Sequence, residues 1–131
     1  SAQRTNMNTI SMNLANVQTT RTQDGGPYQR KEVLFKAAPV NHPFDKVMTS
    51  EMQREVKGVK VSRIQEDDRA FKEVYDPGHP DANEEGYVKY PDINVVEEMA
   101  NMLTATRAYE ANLSTISSVK QMMSQAMQIG R

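Results

Sequence analysis

The residues able to do chemistry in this 131-residue chain gather in two acidic places. Asp76, His79, Asp81, Glu84 and Glu85 fall within one short stretch, and carboxylates beside an imidazole are a donor set for a divalent cation. Their spacing lacks the glycine and ligand positions of a calcium loop. Pro77 and Pro80 flank His79, so the stretch reads as a rigid turn. Glu66-Asp67-Asp68 is a candidate carboxylate group for general acid–base work; between two predicted strands it reads as a solvated turn. There is no Gly-x-Ser-x-Gly, no serine framed with His42 or His79, and no phosphate-binding glycine loop. The chain has no cysteine, which excludes disulfides, thiolate metal sites and a cysteine nucleophile. Nothing brings nucleophile, base and oxyanion donors together. The expectation is a chain with no catalytic residue, no cofactor and no metal.

The elements that hold these residues apart are read from pattern. Residues 3–17 predict a helix, although Asn6, Asn8, Asn13 and Asn16 are poor helix formers; contacts beyond the helix must hold it. Asp24-Gly25-Gly26-Pro27 marks a turn. Tyr28–Phe35 predicts a strand with Lys31, Val33 and Phe35 on one face and Glu32 and Leu34 on the other. Ala37–Pro43 reads as loose. Val56–Ile64 predicts a second strand, with Val59, Val61 and Arg63 on one side and Lys60, Ser62 and Ile64 on the other. Phe71–Tyr75 and Gly86–Tyr90 predict two more, with a loop over Asp76–Glu85. Asn94 then caps a helix with Glu97 as reciprocal partner. Glu97 and Glu98 suit the positive end of the helix dipole. This helix runs to Ile129, about 55 Å, with Gly130 as its stop.

Charge and hydropathy divide the chain sharply. Residues 1–20 hold one charged side chain, Arg4, and residues 94–131 hold six; the other 26 of 33 lie between Arg21 and Ile93. In the last helix Val95, Met99, Met102, Thr106, Tyr109, Leu113, Ile116, Lys120, Met123 and Met127 step by four and three, and only Thr106 and Lys120 interrupt the apolar series. In the first, Met7, Ile10, Leu14 and Val17 step by three, four and three. This is the spacing of a coiled-coil seam. A solvated helix carries charge on its outer face. These helices place Asn, Gln, Ser and Thr there instead, and such faces can be buried against protein without stranding charge. Five of nine methionines fall in the last helix, as adaptable packing in the seam or as a surface that accommodates several neighbours. Asn13, Asn16 and Asn112 are either caps or polar register pins.

The composition agrees with burial completed in an assembly. Net charge is −1, giving no electrostatic case for nucleic acid or anionic lipid. Hydrophobic content is 37% with few aromatics and no Trp, thin for a globule of this length. No stretch approaches the ~20 apolar residues of a membrane span, and no secretory signal is visible. The chain opens at Ser1 inside what reads as a helix already under way, which predicts that residues precede it in the native protein.

Several runs resemble one family. Tyr75-Asp76-Pro77-Gly78-His79-Pro80-Asp81-Ala82, Gly86-Tyr87-Val88-Lys89-Tyr90-Pro91 and Asn94-Val95-Val96-Glu97-Glu98-Met99 resemble the hallmark of bacterial flagellar basal-body rod proteins of the proximal rod. Asn13-Leu14-Ala15-Asn16 is similar to the N-terminal signature shared by rod and hook proteins. Thr19-Thr20-Arg21-Thr22 through Gly25-Gly26-Pro27-Tyr28 fits the same branch, and Ala105-Thr106-Arg107-Ala108-Tyr109-Glu110-Ala111-Asn112 resembles the C-terminal signature. Asp92-Ile93 stands where Asn-Val is commoner, and about the first twenty residues of the usual N-terminal helix are absent.

The resemblance implies a non-enzymatic subunit of the flagellar rod, exported without a cleaved signal peptide. Its terminal helices would form the inner coiled-coil layer of a tube that crosses the periplasm and transmits torque. Implied partners are other copies of itself and other rod proteins, with the export apparatus and basal-body ring proteins as further candidates; no nucleic acid or small-molecule substrate is implied. The expected fold is α+β, with N- and C-terminal helices pairing as an antiparallel coiled coil around a small antiparallel β unit. Residues 1–20 form the first helix, 21–50 an extended connector with a hairpin-like segment, 51–91 a small β domain and 92–131 the long helix. The expected assembly interface is Met7, Ile10, Leu14, Val17, Val95, Met99, Met102, Tyr109, Leu113, Ile116, Met123 and Met127. A soluble coiled-coil adaptor or chaperone-like module is the alternative; it accounts for the heptads but not for the signatures in order.

Overall fold

The computed structural model describes residues 1–39 and 57–130. Two helices enclose two small antiparallel sheets, in the order α1 (Ala2–Ala15), β1 (Lys31–Pro39), β2 (Lys57–Glu66), β3 (Lys72–Tyr75), β4 (Tyr87–Tyr90) and α2 (Val95–Ile129). The α+β class with β structure between terminal helices is as expected. Residues 40–43, His42 among them, Val56 and the division at 50/51 lie outside the described residues.

α2 is 35 residues, about 52 Å long. Asn94 caps it, its Oδ1 accepting from the N–H groups of Val96 at 3.1 Å and Glu97 at 3.4 Å. The reciprocal half of the capping box is not formed, because Glu97 turns toward the Arg69 guanidinium, 4.0 Å away. The helix stops at Ile129, but not through a left-handed glycine: Gly130 has φ −77° and its N–H still bonds the Ala126 carbonyl. α1 ends at Asn16, whose amide Nδ2 donates to the Met12 carbonyl at 2.8 Å and whose Oδ1 accepts from Thr19 Oγ1. Of the three asparagines held open as caps or pins, Asn16 is thus a C-terminal cap. No described helix is long and apolar enough to cross a membrane.

β1 and β2 form a ribbon running from Lys31↔Glu66 to Pro39↔Lys57. Ala37, Ala38 and Pro39 belong to β1 rather than to a loose segment, because Val59, Gly58 and Lys57 supply ladder partners. Pro39 ends the strand, where its missing N–H costs least. The ladder slips between Leu34 and Phe35: Leu34 faces Arg63 and Phe35 faces Val61, leaving Ser62 unpaired. This bulge corrects the expected sidedness of β2. Beyond an inserted residue the alternation restarts, so Ile64 joins Val61 and Val59 on one face. Arg63 takes the other face, where its Nη2 donates to Gln65 Oε1 at 3.0 Å. Between Val33 and Ala37 one face of the ribbon is therefore apolar, with Val33, Ile64, Phe35, Val61, Ala37 and Val59, and the charged pair Lys31 and Glu66 ends it on the α1 side. The other carries Glu32, Lys36, Lys60 and Arg63.

α1 lies against the first half of α2. Its last turn meets the first turn of α2, and Gln3 and Asn6 line the same groove as Thr104 and Ala108, so the helices run antiparallel here. Among the described residues the buried apolar set is small: Ile10, Tyr28, Val33, Val88, Pro91, Ile93 and Ala105. The thin core expected from composition is present, and α2 beyond Glu110 contributes nothing to it.

The second sheet pairs Tyr75 with Tyr87 and Val74 with Val88. The rings of Tyr75 and Tyr87 meet edge to face, 5.3 Å between centroids. Gly86, entering β4, has φ +85°, and a Cβ there would lie 2.9 Å from the Tyr75 ring and 3.2 Å from Pro77. Both the backbone and the space require glycine. Gly86→Ala is expected to cost about 1–3 kcal/mol, measured by urea unfolding, with loss of the near-ultraviolet signal of the Tyr75–Tyr87 pair.

Candidate functional site

The most constrained group of side chains is a polar junction joining α1, the connector, β1, the end of β2 and α2. Asn13, in the last turn of α1, is 1% exposed. Its Oδ1 accepts from the Tyr28 hydroxyl at 3.0 Å and from the Lys31 N–H at 2.9 Å. Its Nδ2 donates to the Lys31 carbonyl at 2.9 Å and to Glu98 Oε2 at 3.3 Å. All four hydrogen bonds available to an amide side chain are made. Two go to the same backbone unit, so Asn13 pairs with Lys31 as a neighbouring strand would.

Glu98, in the first turn of α2, is also 1% exposed. Its Oε1 receives both Nε and Nη2 of Arg30 at 2.7 Å. The remaining arm of the guanidinium reaches Asp67 Oδ2 at 3.1 Å. Asp67 is held further by Arg69, whose Nε approaches the same oxygen at 3.0 Å and whose backbone N–H donates to Oδ1. Asp67 is thus not part of a solvated turn: it is half-buried, and its backbone N–H bonds the Arg30 carbonyl at 2.8 Å, carrying the β1–β2 ladder one residue further. Asp68 remains exposed.

Burial would lower the Arg30 pKa, but the hydrogen bonds and charges of Glu98 and Asp67 outweigh it and hold the guanidinium above its ordinary value. Tyr28 is also raised, first by burial and then by the nearby carboxylates of Glu98 and Glu66. Every buried side-chain polar atom among the described residues has a partner. A satisfied buried network of this kind fixes one geometry.

The acidic loop is built as a turn. His79 Nδ1 accepts from the Asp81 N–H at 3.0 Å, and the ring meets Tyr90 edge-on. Asp81 Oδ2 accepts from Thr20 Oγ1 at 2.7 Å, tying the loop to the connector after α1. Asn83 Oδ1 accepts from the N–H groups of Glu85 and Tyr87. Among the described residues no three His, Cys, Asp or Glu side chains are gathered as a metal would need.

The expected interface residues separate into two groups. In α1, Ile10 is buried and Met7 and Leu14 are half-buried; Val17 is half-buried too, but it lies in the turn after α1, because the helix expected to run to residue 17 is capped at Asn16. In α2, Met102 and Tyr109 are half-buried where α1 lies against the helix, while Val95, Met99, Leu113, Ile116, Met123 and Met127 are exposed. Val119, Met122 and Ile129 extend this exposed set. Arg30, Tyr28 and the burial of Glu98 are legible only faintly in the sequence. Glu98 precedes Met102, Ala105 and Tyr109 at spacings of four, three and four, a charge placed on a face that otherwise reads as buried. Asn13 is a poor helix former on the same side of α1 as Ile10. Asn112 is exposed and pins nothing within the chain.

Comparison with known proteins gives a consistent result. Residues 84–129 match the family described as "Flagellar basal body rod FlgEFG protein C-terminal". The chain is 44% identical to the flagellar basal-body rod protein FlgC of Borreliella burgdorferi, over 98% of this chain and 88% of that protein. It is 41% identical to FlgC of Bacillus subtilis, over 99% of this chain and 90% of the relative. For FlgC of Salmonella typhimurium the figures are 37%, 99% and 89%.

The junction predicts two outcomes. Arg30→Ala strands the Glu98 carboxylate and is expected to destabilise the chain by about 3–5 kcal/mol. Replacing Arg30 by Met and Glu98 by Leu together is expected to recover most of that loss, measured as the coupling in a double-mutant cycle with Arg30→Met and Glu98→Leu as the single variants. Tyr28 sets an alkaline dependence. With its folded pKa raised, the unfolded chain loses the phenol proton first. The associated stability is full below about pH 10 and is lost as pH rises through the folded value. Tyr28→Phe is expected to flatten that decline in pH-dependent urea melts.

Proposed function

The chain belongs to the flagellar basal-body rod protein family, and from that membership we propose that it is a FlgC-type structural subunit of the rod, acting mechanically rather than as a catalyst. In this reading it sits in the periplasmic rod and is exported without a cleaved signal peptide. It assembles with copies of itself and with other rod proteins to transmit torque to the structures beyond. The export apparatus and basal-body rings are its further contacts. The adaptor or chaperone-like alternative finds no support in the relatives, which are rod proteins along nearly the whole chain.

The observation that carries the mechanical reading is the second half of α2. Every residue from Ala111 to Ile129 is exposed, yet the segment contains Leu113, Ile116, Val119, Met122, Met123, Met127 and Ile129, and its only charge is Lys120. An isolated chain gains nothing by keeping such a helix in water. Leu113, Ile116, Met123 and Met127 lie on the side of α2 that α1 covers further back, as 3.6-residue periodicity requires. The helix therefore presents a ready-made face for a coiled-coil layer, shared between the expected α1 and α2 seam residues and neighbouring molecules. Methionines suit a face that meets neighbours in slightly different settings.

Leu113→Asp places a charge in that face while leaving the junction and both sheets untouched. The expected outcome is a folded chain with unchanged strand signal in circular dichroism, and no rod and no motility in a strain relying on this copy. A burial cost of several kcal/mol per subunit is repeated along the polymer. A normal rod by electron microscopy in that strain would remove this face from the assembly.

A further inference from the structure

The loop between β3 and β4 is held by a histidine that has to be neutral. His79 Nδ1 accepts from the Asp81 N–H at 3.0 Å. A ring nitrogen that accepts carries no proton, so the single proton of the ring sits on Nε2. Asp81 also reaches across to the connector after α1, where its Oδ2 accepts from Thr20 Oγ1 at 2.7 Å. Asp81 thus faces two ways, its N–H committed to the imidazole and its carboxylate to the connector. Thr20, His79 and Asp81 are all half-buried, so water competes poorly for these bonds. The backbone around the ring is fixed as well: the His79 N–H bonds the Asp76 carbonyl and the Ala82 N–H bonds the His79 carbonyl, each at 3.1 Å. The charged and titratable groups around the imidazole come from three elements. The loop supplies Asp76, Asp81, Glu84 and Glu85, and the connector supplies Arg21, 3.9 Å from Asp81. The β3–β4 sheet supplies Tyr90, whose ring meets the imidazole edge-on, its neighbour Lys89, and Lys72 opposite Tyr90, itself paired with Asp92.

We propose that His79 and Asp81 form a pH-sensitive clasp, in which a proton on the imidazole turns the Asp81 carboxylate from Thr20 to His79 and unties the loop from the connector. An imidazole takes up its second proton between pH 5 and 8. With both ring nitrogens protonated, Nδ1 becomes a donor and no longer receives the Asp81 N–H. Two donors then face each other. Asp81 carries the acceptor that resolves the conflict, since its carboxylate is one side chain away from its own N–H. An imidazolium offers that carboxylate an opposite charge, which the Thr20 hydroxyl does not. The clasp is therefore closed while the imidazole is neutral and open once it is protonated: the loop is tied above the titration and released below it. Release changes the groove between the connector and the loop. Arg21 and Lys89 line this groove, and among the described residues that line it Asp81 is the one carboxylate. Once Asp81 turns to His79, the groove is left with two cations. A local charge change thus has a wider readout. The clasp stands on its own geometry and apart from the rod reading.

NMR of the full chain, from about pH 7.5 to about pH 5.5, tests the clasp. At the upper end the nitrogen shift of His79 Nδ1 is expected to mark an unprotonated acceptor. Across the titration the Asp81 and Thr20 amides are expected to move together with the ring. Exchange of the Asp81 amide, corrected for its intrinsic rate, is expected to quicken about tenfold. His42→Gln removes the only other imidazole of the sequence and is expected to leave these responses unchanged. In His79→Asn a non-titrating amide oxygen takes the acceptor's place, and the responses are expected to vanish. Thr20→Val removes the competitor for the carboxylate, so the imidazole is expected to hold its proton to higher pH; a histidine with a purely structural role would titrate alike in both chains. A protonated Nδ1 at the upper end, a titrating ring with the Asp81 and Thr20 amides at rest, or an unmoved midpoint in Thr20→Val would each overturn the clasp. Should a variant fail to fold, the shifts of the unmodified chain decide.

Discussion

The Glu98 carboxyl group sits at a position closed to water, and the arrangement around it follows from that constraint. An ion of this kind is tolerated only when it is paired and its lone pairs are filled. Arg30 supplies the pairing through two donors, and Asn13 fills the other oxygen. To bring them there, the connector after α1 must turn at Gly25 and Gly26, both at positive φ, and deliver Tyr28, Arg30 and Lys31 to the end of α1 in succession. Asp67 must then close the far side of the guanidinium, which places the end of β2 beside the first turn of α2. Four segments distant in sequence meet at a few charged and amide groups.

This junction does work that apolar burial cannot do in so small a core. Few apolar side chains are buried among the described residues, too few to specify how two helices and two ribbons sit together. Apolar contact is also tolerant of small slips, whereas an amide with all four hydrogen bonds made has one register. The chain thus spends its polar residues on internal geometry and leaves its apolar faces outward, on α2 and on the β1–β2 ribbon. In a subunit of a rod that allocation is coherent. The fold of one molecule is set by directional bonds, and the proposed rod function assigns the joining of molecules to large, non-directional apolar surfaces.

The sequence by itself determined the elements, because periodicity, turn residues and caps act locally. The heptad of α2, its Asn94 cap, the glycine-rich turn and the presence of the four strands all depend on near neighbours in the chain. The charge-poor ends and the thin core were legible for the same reason, being sums over residues, and the motifs running the length of the chain carried the family. Tertiary structure decided what depends on distant partners. Asn13 became a strand mimic, and neither a cap nor a seam pin, because Lys31 lies eighteen residues on and presents both its N–H and its C=O. Asp67 left its turn for Arg30. The unpaired Ser62 moved Ile64 to the apolar face, since a bulge depends on which residues of two strands are opposed, and no single strand contains that information. Glu98, which suits a helix N-terminus on local grounds alone, is buried because Arg30 and Asn13 arrive from elsewhere to satisfy it.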